Sequence, residues 1–135
     1  MGIETIGTGL KTILEGISGL RVFAPNELPD SIPEFPAALI LPGETNYEAA
    51  MGGDYDWTLR VLILLGKQDT PSAFNEILDY IEPTGAKSVI TKVKADPTLD
   101  SSCDTSRVIR NLGVGATMWG GIAYLSTEFE IAIYA

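Results

Sequence analysis

The chain has 135 residues, 18 Asp and Glu against 9 Lys and Arg, a formal net charge of −9 at pH 7, one cysteine and no histidine. This excludes Ser–His–Asp and Cys–His catalysis and an internal disulfide framework, and it disfavours a protein that grips phosphates, whose affinity comes from Lys and Arg releasing counterions. One domain is the natural count, and a chain of this length buries roughly two thirds of its unfolded surface, enough for a core without staples.

The first element is an amphipathic helix. Ile3, Ile6, Leu10, Ile13, Leu14 and Ile17 recur at helical spacing with Thr, Glu and Lys between them. Gly2, Gly7, Gly9 and Gly16 weaken it by about 1 kcal/mol each relative to alanine, so it forms by packing on a sheet. Gly19 ends it, and Leu20 to Phe23 reads as a short strand. Residues 24–36 carry Pro25, Pro29, Pro33 and Pro36 and form an extended surface loop. It is either a connector or an arm lying across a neighbouring subunit.

Ala37 to Leu41 is a short apolar strand. Residues 42–56 then read as a hairpin arm projecting from the sheet, turned at Gly52-Gly53, where positive φ is needed. Tyr47, Met51 and Tyr55 on that arm would be idle in a monomer and anchors in an adjacent subunit. From Trp57 to Leu65, odd and even positions alternate, the strand signature. Thr58 and Arg60 make one face wet at first, and Leu62 and Leu64 close it. Residues 66–69 are the turn. Pro71 suits the first turn of a helix whose stripe is Phe74, Ile77, Leu78 and Ile81, ended by Pro83 and Gly85. Ser88 caps a shorter helix bearing Val89, Ile90 and Val93, stopped at Asp96-Pro97.

Residues 98–105 form a polar loop. A strand follows with Val108, Leu112 and Val114 on one face, then a glycine-rich turn holding Met118 and Trp119, the tryptophan either a core plug or an exposed contact. In the last strand, 122–135, Ala123, Leu125, Phe129, Ile131 and Ile133 face one way and Tyr124, Ser126, Glu128, Glu130 and Tyr134 the other. The pattern as a whole predicts one α+β domain over residues 1–135, with a mixed, mainly antiparallel sheet, helices on one face and a projecting β-hairpin arm.

Motifs for chemistry are missing. Cys103 sits among Ser101, Ser102, Asp104 and Thr105, where acidic neighbours raise rather than lower a thiol's pKa, so a loop thiol is the reading. Neither Asp54 and Asp56 nor Asp96, Asp100 and Asp104 match a calcium loop. Gly113-x-Gly115 lacks the third glycine and the following helix of a dinucleotide site. Lys87, Lys92 and Lys94 make either a solvated helix face or a small anion-binding patch. No catalytic, cofactor or metal residue is assigned. The longest apolar run is far below the ~20 residues of a membrane span, and no early basic cluster precedes an apolar block, so an intracellular, soluble protein is expected. Mean hydropathy of +0.17 is high for a small soluble monomer, and surplus apolar residues in a short chain cover contacts between copies.

The order of features resembles a known family. A helix ending in GLRVF, a proline-rich segment leading into FPAALILP, a glycine-bearing arm and long strand, then DTPSAFNEILDYIEPTGAKSVITKVKADPTLD and a closing FEIAIYA are similar to the tail terminator (tail completion) proteins in the neck of long-tailed bacteriophages. The most diagnostic part runs from Leu78 to Leu99, through Gly85, Ser88-Val89 and Asp96-x-Thr98-Leu99. The resemblance implies a virion subunit, assembled in the host cytoplasm, that forms a homo-oligomeric ring, usually a hexamer. That ring caps the tail tube protein, stops tube growth and docks on the head connector or stopper protein, with DNA passing through the lumen unbound. The acidic composition suits a lumen that repels phosphates. Interface positions expected are Tyr47, Met51, Tyr55 and Trp119. Head-side adaptor and stopper rings share this size and composition, though the helix-containing middle and long last strand favour the terminator. A monomeric adaptor recruiting a protein through the Pro-rich loop is the alternative from another class.

Overall fold

The computed structural model describes residues 3–17, 19–30, 32, 35–46, 56–67, 77–103 and 105–134. Their chain order is α1 (Ile3–Leu14), β1 (Arg21–Phe23), β2 (Ala37–Asn46), β3 (Asp56–Lys67), a helical segment at 77–81, α2 (Val89–Ala95), β4 (Thr105–Trp119) and β5 (Ile122–Tyr134). The five strands form one sheet in the order β1-β2-β3-β5-β4. β1 runs parallel to β2, and every other pair is antiparallel. The fold is therefore α+β with a mixed sheet, as the periodicities predict.

β3 lies at the centre because it can be buried on both sides. Leu59, Val61 and Ile63 are fully buried on one face, together with Phe129, Ile131 and Ile133 of β5. Ile6, Leu10 and Leu14 of α1, Val89 and Val93 of α2, and Ile77 and Tyr80 pack on this face in one cluster. The helices thus share a single side of the sheet, where their apolar stripes find a partner. On the opposite face Leu39, Leu62, Leu64 and Tyr124 form a smaller core with Phe23 and Ile32. Tyr124, expected on the polar side of β5, is on that side of the strand but buried there, because the Pro-rich segment covers it.

The Pro-rich segment is a strap over its own chain. Ile32 is buried, Leu28 packs on the smaller core, and the Phe35 ring lies 5.5 Å from that of Tyr124. The Trp119 indole N–H donates to the carbonyl of Pro29 at 2.8 Å, joining the strap to the far edge of the sheet. At its other end Asn26 donates to Glu4 of α1 at 3.0 Å, and Lys11 of α1 bonds Glu27. This is the connector reading, given a covering role.

Several boundaries differ from expectation. β2 does not stop at Leu41: a bulge between Pro42 and Thr45 lets it continue to Asn46, paired with β3. Residues 42–46 and 56, assigned to a projecting arm, are therefore sheet, and residues 47–55, with Tyr47, Met51 and Tyr55, lie outside the described residues. Gly66 and Lys67 belong to β3 rather than to a turn. α1 ends at Leu14, with Ile17 buried in the turn beyond it. Leu78 is exposed, and Tyr80 takes the buried place expected of it. The Ser88 cap forms as expected, its hydroxyl accepting from Thr91 N at 3.2 Å and donating to the Glu82 carbonyl.

Two glycines of α1 are notches. A Cβ on Gly9 would stand 2.1 Å from the Leu99 carbonyl oxygen, and one on Gly7 would stand 2.6 Å from Pro25 Cδ. The loop that meets Gly9 holds Leu99, Asp100 and Ser101 in succession at positive φ of 50°, 58° and 63°, a conformation L-residues rarely adopt. The Asp96 carboxylate supports this turn, accepting from Thr98 Oγ1 and from Asp100 N.

Candidate functional site

The feature with most potential for function is the β4 edge and the sheet face beside it. β4 is 15 residues long and among the described residues pairs only with β5, so within that set its outer side presents unpaired backbone donors and acceptors. The other edge strand, β1, has three residues. Large apolar side chains are exposed along β4 and its turn: Ile109, Leu112, Met118 and Ile122, with Met118 at 65 %.

Two bulges shape this edge. The register slips between Val108 and Arg110 and again between Asn111 and Val114. Asn111 pins the second slip. Its amide donates to Thr127 Oγ1 at 2.7 Å and to the Glu128 carbonyl at 3.1 Å, while its carbonyl accepts from Gly113 N at 2.8 Å. Val108 and Val114 pack on the helix-side core, but the slip puts Leu112 out of phase and 52 % exposed, which corrects the expectation that all three share a face. The turn itself is only Gly120-Gly121, at positive φ of 59° and 83°. Gly115, Met118 and Trp119, expected in a turn, are strand residues. Trp119 is half-buried against the smaller core with its N–H bonded to the strap, the plug alternative.

On the face opposite the helices, rows of charge run across the sheet next to the strap-covered core. Arg60 of β3 grips Glu128 of β5 with two bonds, 2.7 and 3.2 Å, and these hydrogen bonds hold its guanidinium above the ordinary pKa against the opposing effect of burial. Arg110 of β4 pairs with Glu130, directly opposite it in the register, at 2.5 Å. Arg107, opposite Ala132 on the same face, is exposed and makes no ion pair among the described residues. Between these rows and the second bulge is a shallow depression of about 180 Å³ floored by Leu62 and bordered by Leu112, Val114, Ser126 and Glu128. Ligand pockets are usually ~300–1,000 Å³ and well enclosed, so this hollow has the size of a side chain.

Elsewhere the residues singled out from the sequence have structural roles. Cys103 is buried, its Sγ 3.5 Å from the Thr98 carbonyl. Among the described residues no three Cys, Asp or Glu side chains converge on a point where a metal could sit, and no helix is long and apolar enough to cross a membrane. Lys92 and Lys94 lie in the last turn of α2, where positive charge complements the helix dipole. The signal for the face that does stand out was legible only in part: alternation assigns Arg60, Glu128 and Glu130 to one side of their strands, but the bulges that set Leu112 beside them depend on Asn111 bonding across to β5. No family model and no curated protein matches this chain.

Proposed function

We propose that this chain is a structural ring subunit of the neck of a long-tailed bacteriophage, the ring that terminates the tail tube and joins tail to head. The observation that carries the reading is the open β4 edge, 15 residues long and bearing exposed Ile109, Leu112 and Met118. Proteins that work alone keep such edges short or covered, because an unpaired ladder beside apolar side chains invites another chain. A repeated subunit has a use for it. The net charge of −9 adds a second argument: a ring with an anionic lumen lets DNA through by repelling its phosphates. The resemblance of the whole chain, strongest from Leu78 to Leu99, supplies the neck as the place.

In this reading the chain holds no cofactor and performs no reaction. Its partners are other copies of itself, the tail tube protein on one side and a head connector or stopper protein on the other. A head-side connector ring is the second reading, favoured by the same edge and the same charge. Negative-stain electron microscopy of the purified protein mixed with tail tubes tests both. Rings seated on the head-proximal tube end, with tube length fixed, are the expected result. Binding to the head connector alone would transfer the assignment to the head-side ring. Single copies that neither bind tubes nor limit their growth would overturn the proposal.

A further inference from the structure

The β4 edge is not uniform along its length. Up to Gly113 it carries the devices that keep natural edges from pairing: two bulges, and the charges of Arg107 and Arg110. From Val114 to Trp119 the register with β5 is unbroken over six successive pairs. This straight piece has no charge, no proline and no bulge. It lies within a run of 17 residues, Asn111 to Thr127, that holds no Asp, Glu, Lys or Arg, in a chain where charged residues make up 20 %. Gly115, Ala116 and Met118 are exposed, and a Cβ on Gly115 would meet nothing within 4 Å. Among the described residues, the outer ladder of this piece has no strand beside it.

We propose that residues 114–118 pair with the same residues of a second copy, antiparallel, about a two-fold axis at Ala116. Two observations choose a second copy. Each copy carries a net charge of −9, so two copies repel across most of their surfaces, and an uncharged edge is where they can approach. The segment is also complementary to itself. Facing residues of an antiparallel pair point to the same side of the sheet, and a two-fold axis perpendicular to the sheet leaves each residue on its own side. The axis must therefore pass through a residue. At Ala116 it sets Val114 of each copy opposite Met118 of the other, on the face where Val114 already packs on the helix-side core. Ala116 faces its own copy, and Gly115 faces Thr117 on the other side, so small side chains stand at the centre and no charge meets another. Apolar cross-strand pairs of this kind stabilise a sheet. The contact goes beyond the ring reading and does not rest on it, because an isologous contact stops at two copies. It is a contact of the free chain, and it keeps the edge covered until another neighbour takes it.

Sedimentation velocity of the full chain over a concentration series tests the pair, with circular dichroism as the check on folding. The wild type should dimerise. Ala116→Lys sets two ammonium groups face to face and should weaken the dimer by about tenfold or more. The added lysine makes the net charge less negative, so general repulsion cannot account for that loss. Facing Cα atoms in an antiparallel pair lie about 4.5–5.5 Å apart, within the span of a disulfide. Ala116→Cys should therefore cross-link to its own copy on mild oxidation, whereas the wild type, whose one cysteine is the buried Cys103, should not. A wild-type dimer that Ala116→Lys leaves unchanged would place the contact elsewhere and overturn the pair. Weakening by Ala116→Lys without cross-linking of Ala116→Cys would overturn the two-fold register. A wild-type chain that stays single at every concentration would overturn the pair and leave the ring reading to the experiment with tail tubes. If Ala116→Lys then also fails to bind tubes, the edge belongs to a strand of another protein.

Discussion

The two faces of the sheet are built differently. On the helix side, α1, α2 and residues 77–81 cover β3 and β5 with aliphatic side chains that are almost wholly buried. On the other side the strap, through its described residues 24–30, 32, 35 and 36, covers the apolar end of the sheet, and Arg–Glu rows lie beyond it. The helix side does the work of holding the fold. The strap side is finished at one end and solvated at the other, with the long open strand along its margin.

The comparison is broken most severely by a cavity on the helix side. Phe129 is fully buried, and Phe129→Ala should cost about 3–5 kcal/mol of unfolding free energy, read by urea denaturation. Leu112→Ala on β4 should stay within about 0.5 kcal/mol in the same measurement, since the side chain already faces water. Similar losses at the two positions would mean that β4 is as much a part of the core as β5.

Next in size is Gly9→Ala. Helix propensity alone favours alanine by about 1 kcal/mol, but the added Cβ would meet the backbone oxygen of Leu99 at 2.1 Å. Backbone cannot swing aside as a side chain can, so the sign reverses and a net loss of about 1–3 kcal/mol is expected. A gain in melting temperature would show that α1 and the loop at 97–102 are not in close contact.

Gly9 also illustrates how far the sequence could be read. β3 and β5 were legible because each buries a period-two row, and Ser88 was legible because capping is decided within a few residues. α1 was legible too, but its glycines looked like flaws, since nothing local says that Leu99 passes within van der Waals contact. The phase of β4 was lost for a similar reason: a bulge shifts every following side chain, and this one is held by Asn111 bonding to Thr127 and Glu128 on β5. Trp119 had two equal readings until its partner was known, and that partner, Pro29, is 90 residues away in sequence. Leu78 stood on the stripe by spacing, but the cluster admits Tyr80 in its place. Of the expected interface positions, Trp119 can be placed in its own chain, whereas Tyr47, Met51 and Tyr55 lie outside the described residues.

On the strap side a smaller effect is expected from Trp119→Phe. The ring stays, and the hydrogen bond to the Pro29 carbonyl at 2.8 Å goes. Pro29 is only half-buried, so water can replace the donor, and the loss should be about 0.5–1.5 kcal/mol. Limited proteolysis sharpens the point: cleavage within residues 24–36 should quicken while sites in α2 keep their wild-type rate. A uniform rise across the chain would mean that the strap and the helix-side core open together.

The smallest effect belongs to Glu27, where the strap meets α1. Its carboxylate accepts from Lys11 and from the backbone N–H of Ala24, and these bonds, the Lys11 one first, hold its pKa below the ordinary value of 4.5. A folded-state pKa below the unfolded one gives stability that is present above about 4.5 and lost as pH falls through the folded value. The Glu27 side chain is 43 % exposed, so solvent screens the pair and the contribution at pH 7 should be only a few tenths of a kcal/mol. Glu27→Gln should therefore unfold slightly more easily than the wild type at pH 7. The two should converge once the wild-type carboxyl is protonated, because glutamine keeps an oxygen for the Ala24 N–H. Paired denaturation curves at neutral pH and well below pH 4.5 measure this. A gap of the same size at both would mean that the strap is held there by shape and not by charge, and the contrast between the two faces would then be one of packing alone.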